Sequence, residues 1–203
     1  MSFYLIDQFE QGSSEWHSWR RGVIGASDAG SILGENRFKS RTYLMKEKLG
    51  QVAEFRGNDK TREGQQLEGV ARDALSEKFN LSLKPIIAQH AGVPYFAASL
   101  DAISFDYKQV FEIKAGQKTY EHALASNEVP GYYVAQIQHI LMVTNLESMI
   151  FAAYRPNQPL FTTIVNRDDS YIDKLQRSAK SFIDELSERG HQVQYEFRGR
   201  LVD

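Results

Sequence analysis

The chain has no cysteine among its 203 residues, which excludes disulfides, cysteine-ligated zinc and iron–sulfur clusters and suits a reducing, cytoplasmic setting. No apolar run approaches the roughly 18 residues of a membrane span, so no membrane partner is expected. The opening Met1-Ser2-Phe3-Tyr4-Leu5-Ile6-Asp7 lacks the basic stretch and long apolar core of a secretory signal. A Walker-type glycine loop is missing, which argues against ATP use. The histidines (His17, His90, His122, His139, His191) form no pair at zinc-ligand spacing. Repeats, low-complexity tracts and Pro/Gly/Ser linkers are also lacking, so residues 1–203 are expected to form one domain.

Acidic and basic residues nearly balance overall but are unevenly spread. The net charge of −2 argues against a general polyanion binder. Between positions 20 and 62, however, ten basic residues (Arg20, Arg21, Arg37, Lys39, Arg41, Lys46, Lys48, Arg56, Lys60, Arg62) face five acidic ones. A locally basic surface on an acidic body suits a protein that grips phosphates and releases them.

What is present centres on Asp101 and the triplet Glu112-Ile113-Lys114. Residues 99–103 and 110–115 alternate like half-buried strands, and the polar stretch Asp106-Tyr107-Lys108-Gln109 between them suits a hairpin. A symmetric turn between Asp106 and Tyr107 sets Asp101 opposite Glu112. Opposed residues hold their Cβ atoms roughly 4.5–5.5 Å apart. At an effective dielectric of about 20, two carboxylates there repel by about 3 kcal/mol. A cation between them removes that repulsion, and Mg²⁺ suits the pair best, because it takes one or two carboxylates and keeps waters for a substrate phosphate. Alternation sets Lys114 on the same face as Glu112, where its ammonium can hold an attacking water. The combination points to metal-assisted phosphodiester hydrolysis.

Elsewhere the pattern predicts a Ser-capped helical turn over 13–19, a short helix from Ala29 to Leu33, and a helix over 41–49 ended by Gly50. From Gly64 to Phe79 an apolar stripe of Leu67, Val70, Ala71, Ala74, Leu75 and Phe79 predicts a helix with Glu68 at its edge. Pro130-Gly131 opens another helix through Thr144, with Tyr133, Ile137, Ile140 and Leu141 inward and Gln136 beside His139 on one flank. Strands follow over 148–154 and 160–165, then a long amphipathic helix capped by Asp168 or Asp169 and closed by Gly190. This order predicts an α/β (α+β) fold, a mixed central sheet flanked by helices. Trp16 and Trp19 are expected to pack helices, His17 to be structural and His139 to be a satisfied helix histidine.

The ordered motifs resemble those of the phage lambda-type (YqaJ-like) alkaline exonucleases of the PD-(D/E)xK nuclease superfamily. They are Trp16-His17-x-x-Arg20-x-Gly22-Val23-Ile24-Gly25-Ala26-Ser27, Gly64-x-x-x-Glu68, Ser99-x-Asp101, Glu112-Ile113-Lys114 and Tyr133-x-x-Gln136-x-Gln138. The resemblance covers residues 15–154 and implies a restriction-endonuclease-like core. It implies Asp101, Glu112 and the Ile113 carbonyl as ligands of one Mg²⁺, with Mn²⁺ able to substitute, and Glu68 as the carboxylate for a second metal or its water. It further implies Lys114, steadied by Gln136, as the residue acting on the nucleophilic water. Arg20, Ser27 and Ser99 are implied as a pocket for a terminal 5′-phosphate, and Tyr133 as facing the site. Two departures stand out. Gly25 occupies a position where a hydroxyl residue is expected, with a backbone N–H as the substitute donor, and Leu100 replaces the proline before Asp101. The implied activity is digestion of one strand of linear duplex DNA from 5′-phosphorylated ends, leaving a 3′ tail for recombination. A trimeric ring, a single-strand annealing recombinase as partner and a bacterial or phage origin are implied in the same way. A structure- or sequence-specific endonuclease and a non-catalytic DNA-binding subunit are the alternatives.

Overall fold

The computed structural model describes residues 2–53 and 59–203, the side chains of 59–62 excepted. Arg56, Lys60 and Arg62 of the basic stretch therefore lie outside what is described. The elements run β1 (Phe3–Ile6), α1 (Ser14–Arg21), β2 (Ile24–Gly25), a 3-10 turn (Ala26–Asp28) leading into α2 (Ala29–Ile32), α3 (Arg41–Lys48) and α4 (Asp59–Phe79). Then come β3 (Leu83–His90), β4 (Phe96–Ser104), β5 (Val110–Lys114), α5 (Gln117–Ser126), a 3-10 turn (Gly131–Tyr133) leading into α6 (Val134–Thr144), β6 (Ser148–Ala153), β7 (Phe161–Asn166), α7 (Asp169–Glu188) and β8 (Arg200–Val202). The sequence pattern had not indicated β1, β2, β3, α5 or β8.

Helix ends follow local chemistry. Ser13 Oγ accepts from the Trp16 N–H at 3.1 Å to start α1, Ser40 caps α3, and Asp168 Oδ1 accepts from the Tyr171 N–H at 3.0 Å to start α7. Gly190, at φ +78°, supplies the left-handed residue after α7.

The strands form one mixed sheet in the order β7-β6-β5-β4-β3-β1-β8, with β2 pairing alongside β4. Neighbours on the main path are antiparallel except β5 and β6, which run parallel. A parallel pair needs a crossover, and α5 and α6 provide it. On one face α2, α3, α6 and α7 pack over Phe3, Leu100, Ile103, Val110 and Phe151. Beyond α6's expected stripe, every residue from Ile137 to Thr144 is buried, as a helix wedged between the sheet and a second helix layer requires. The other face is divided. α4 lays Ala71 and Leu75 on Ala102, Phe111, Ile113 and Ile150, while α1 lays Trp19 on Ile6, Ile87 and Ala97. Val70, assigned to the inward stripe of α4, is instead 51% exposed. The α4 residues that pack there, Ala71, Leu75 and the partly buried Phe79, recur every four positions, and Val70 falls off that line.

One irregularity positions the site. In the β3–β4 ladder Ile86 pairs with Leu100 but Lys84 pairs with Ile103, so Pro85 stands opposite two residues, Asp101 and Ala102. This is a β-bulge, and Pro85 suits it because proline has no N–H to give the ladder. A bulge switches the alternation, which is why Leu100 and Ile103 both enter the same core.

Candidate active site

The hairpin between β4 and β5 sets the register. Its turn is closed by Tyr107 N–H to Ser104 O at 2.8 Å and Ser104 N–H to Gln109 O at 2.9 Å. Tyr107 itself has φ +63°, and its hydroxyl is held by Lys84 Nζ at 2.9 Å. Ala102 pairs with Phe111 and Ile103 with Val110, so the same register brings Asp101 opposite Glu112. There the backbone ladder gives way to a side chain, and Asp101 Oδ2 accepts the Ile113 N–H at 2.8 Å. The strands part at the bulge, and the two carboxylates stand at the fork.

Glu112 is fully buried in the middle of the sheet. Its Oε1 receives both Lys114 Nζ and, at 2.6 Å, Gln136 Nε2 from α6. Its Oε2 is buried and has no hydrogen-bond partner. Burial, and then the charge of Asp101, push the Glu112 carboxyl up to about 7. Burial also raises Asp101, against the opposing pull of Lys114 and the Ile113 N–H. Burial, followed by Asp101, raises Glu68 as well. For Lys114, burial works to lower its pKa but the charges of Glu112 and Asp101 outweigh it, and the ammonium is held above its ordinary value. The Tyr133 ring lies against that ammonium, with its centroid 5.1 Å from Nζ.

Glu68 reaches the site from α4. One turn on, Arg72 donates to Glu68 Oε1 at 2.8 Å through Nη2 and to the Asp101 carbonyl at 2.7 Å through Nε. It thereby ties α4 to the bulged strand. Sequence reading missed Arg72, although its spacing of four from Glu68 is a recognisable ion-pair signal on a helix. Gln136 was expected to steady Lys114. It bonds Glu112 instead, and it shares with the lysine that carboxylate's Oε1.

The donors suit a hard divalent cation. They are all oxygen, the charge of Asp101 helps to raise the neighbouring Glu112 carboxyl, and one buried carboxylate oxygen is orphaned. Among the described residues no three His, Cys, Asp or Glu side chains are gathered into a ready-made cage. Each carboxylate is drawn to its own protein donor: Glu68 to Arg72, Asp101 to the Ile113 N–H, and Glu112 to Lys114.

The second constellation is at the end of α1. Arg20 Nη2 donates to Ser27 Oγ at 2.7 Å, and its guanidinium lies 5.2 Å from the Trp16 ring centroid. Trp16 and Trp19 thus pack the helix, as expected. Ser99 sits two residues before the bulge, opposite Ile87, and is outside the Arg20–Ser27 hydrogen bond. Gly25's N–H is not available as a substitute donor, since it bonds Asp28 Oδ2 at 3.0 Å. Arg20, Ser27, Glu68, Arg72 and Lys114 nonetheless line one open groove of about 2590 Å³. The basic surface is smaller than the sequence count suggested. Lys48 is buried, Lys39 bonds Glu47 and Arg41 bonds Glu185, while Arg21, Arg37 and Lys46 remain exposed.

Comparison with known proteins places this geometry in context. LHK-Exo, an alkaline exonuclease from Laribacter hongkongensis, shares the fold with a TM-score of 0.75 at 22% identity, over 87% of this chain and 94% of that one. Its complex with dAMP gives 0.76 over the same shares. A phage-related exonuclease from Haemophilus somnus 129PT gives 0.56 at 17% identity, over 83% and 96%. The mixed sheet with flanking helices is therefore the restriction-endonuclease-like fold of these enzymes. Among curated proteins, the uncharacterized protein YqaJ of Bacillus subtilis (strain 168) is 26% identical over 186 residues, 88% of this chain and 57% of that protein. The chain thus spans little more than half the length of that relative. The family model for the YqaJ-like viral recombinase domain matches residues 15–147, from the start of α1 through the whole fork of carboxylates to the end of α6. With about two thirds of its length matched, carrying every element that builds the site, the chain belongs to the YqaJ-like viral recombinase domain family.

Proposed function

We propose that the protein is a Mg²⁺-dependent deoxyribonuclease that digests one strand of linear duplex DNA from 5′-phosphorylated ends. The observation that carries this is the fork itself. A fully buried glutamate with an orphaned oxygen stands in register with an aspartate, and a lysine shares its other oxygen. Setting a half-buried aspartate beside a fully buried glutamate works against stability, and a cation between them offsets that cost. Asp101, Glu112 and the Ile113 carbonyl would hold one metal and Glu68 a second metal or its water, with Mn²⁺ able to replace Mg²⁺. Bound there, the ion supplies positive charge to the phosphoryl group as negative charge accumulates on it. Lys114 Nζ holds the attacking water against the scissile phosphate, and the Tyr133 ring limits where that ammonium can swing. Gln136 fixes Glu112 Oε1 beside Lys114, whose side chain lines the groove. Arg20 and Ser27 bind the terminal phosphate and so set which bond reaches Lys114. A groove of about 2590 Å³ exceeds the roughly 300–1,000 Å³ of small-ligand sites and suits a polymer.

By the same resemblance the enzyme acts as a ring-shaped homotrimer. It leaves a 3′ single-stranded tail for an annealing recombinase. End-labelled linear duplex incubated with Mg²⁺ tests the activity. Loss of 5′ label as mononucleotide, with the 3′ label retained and all cleavage stopped by EDTA, is the expected result. Nicking of covalently closed circles would favour an endonuclease, and absence of cleavage with either Mg²⁺ or Mn²⁺ would favour a binding subunit.

A further inference from the structure

Behind Arg20 lies a buried ion pair that the proposed reaction does not use. Asp28, in the 3-10 turn before α2, is 1% exposed, and Lys48, the last residue of α3, is 4% exposed. Lys48 Nζ reaches Asp28 Oδ2 at 2.9 Å, the Val23 carbonyl at 2.6 Å and the Arg20 carbonyl at 2.9 Å. These contacts occupy all three donors of an ammonium. Asp28 Oδ2 also accepts the Gly25 N–H, and Asp28 Oδ1 lies 3.5 Å from Arg20 Nη2. Arg20 is therefore held at both ends, its backbone by Lys48 and its guanidinium by Asp28. The same Nη2 is presented to Ser27 Oγ at the groove.

Burying two charges costs about as much as their attraction returns, so a pair like this adds little to stability by itself. What it does supply is a fixed direction for the guanidinium and a defined local charge. Burial works to raise the Asp28 carboxyl, but Lys48 and then Arg20 hold it well below the usual carboxylate range, so the group stays ionised. Within this trio two cations and one anion sum to one positive charge, with Arg20 the member that lines the groove. We propose that Asp28 and Lys48 are positioning residues that aim Arg20 at a terminal 5′-phosphate and set the enzyme's preference for phosphorylated ends. This rests on the reading of Arg20 and Ser27 as the end-binding pair. Asp28 and Lys48 touch Arg20, not the DNA.

The test compares kcat/KM on one linear duplex carrying either a 5′-phosphate or a 5′-hydroxyl. Either single neutralisation strands the partner's buried charge, so the informative variant is the double Asp28→Asn, Lys48→Met. It removes both charges, keeps the local sum at one positive charge, and leaves no buried ion unpaired. The expected result is a fall of about tenfold or more in the phosphate-to-hydroxyl ratio, the scale of one lost charge-assisted hydrogen bond. Cleavage of hydroxyl ends should stay within a few-fold of wild type. If the double variant keeps the wild-type ratio while Arg20→Ala loses it, the positioning role is overturned and the end-binding pair stands. An equal fall on both ends, marking a structural role alone, overturns it too. If wild type itself shows no preference, the end-binding reading fails first.

Discussion

Lys114 and Glu112 pair at the fork, and substitution at that contact separates chemistry from metal affinity. In Lys114→Ala the carboxylates proposed as metal ligands stay in place while the group proposed to hold the water is gone. Turnover on 5′-phosphorylated duplex is expected to fall at least about 10²-fold, the low end for a positioned proton-transfer group. Mg²⁺ should still raise the melting temperature, as a ligand bound only to the folded state must. Glu112→Gln should lose both turnover and the Mg²⁺-dependent rise. Melting curves with and without Mg²⁺ distinguish the two variants, and wild-type turnover in Lys114→Ala would remove that lysine from the mechanism. Asp101 and Glu112 were legible in the sequence because a symmetric hairpin and period-2 alternation are local rules. Arg72 was legible in principle, at helical spacing from Glu68. The Arg20–Asp28–Lys48 network was not, since no spacing rule links a helix end to a turn and to another helix end.

At the scale of an element, α6 carries two glutamines with opposite roles. Gln136 donates to Glu112, whereas Gln138 bonds the Asn166 carbonyl and accepts the Asp168 N–H at 2.9 Å each, pinning α6 to the β7–α7 connection. Gln138→Ala should destabilise by about 1–3 kcal/mol, because it leaves two backbone groups unsatisfied, with turnover at low temperature nearly unchanged. Gln136→Ala should do the reverse. Urea unfolding and initial rates on both variants check this.

The same helix carries His139, fully buried, with Nε2 against the Ala97 carbonyl at 2.9 Å and Nδ1 unpartnered. It is satisfied on one side only. Burial pushes its pKa down to about 4, against the opposing effects of the Ala97 carbonyl and Asp28 and with help from His90 and Lys48. A folded value below the unfolded one of about 6.5 means the unfolded chain binds the extra proton. The contribution is therefore complete above about pH 6.5 and is lost as pH falls toward 4, by up to about 3 kcal/mol. Glu112 titrates in the opposite sense over part of that range, so the useful quantity is wild-type stability minus that of His139→Gln. That difference should shrink from pH 7 to pH 4, and a difference independent of pH would refute the assignment.

For the whole molecule, the small basic area and net charge of −2 make tight non-specific DNA binding a poor basis for repeated cleavage. Topological trapping of the duplex in a ring does not need high charge, which is the physical case for a trimer. Sedimentation equilibrium is expected to give about three times the 23.2 kDa chain mass, and a monomer that still degrades long duplexes without dissociating would defeat the idea. The open groove between α1 and α4 exists only because the two helices cover separate parts of one sheet face. Pro85, which stands opposite the bulge, is one of its lining residues. A proline inside a strand is a visible signal for such a bulge, but its consequence depends on which strand lies alongside.

Residue order alone determined the helix caps, the hairpin register that faces Asp101 with Glu112, and the motif order that marks the family, because caps, turns and alternation act over a few neighbouring positions. Only the tertiary structure decided that Gln136 serves Glu112, that Arg72 clamps α4 to the bulged strand, and that Lys48 is buried behind Arg20 rather than exposed to phosphate. Those contacts join segments 24 to 29 positions apart, and at that separation partner choice is set by how helices and strands pack, which no local periodicity encodes.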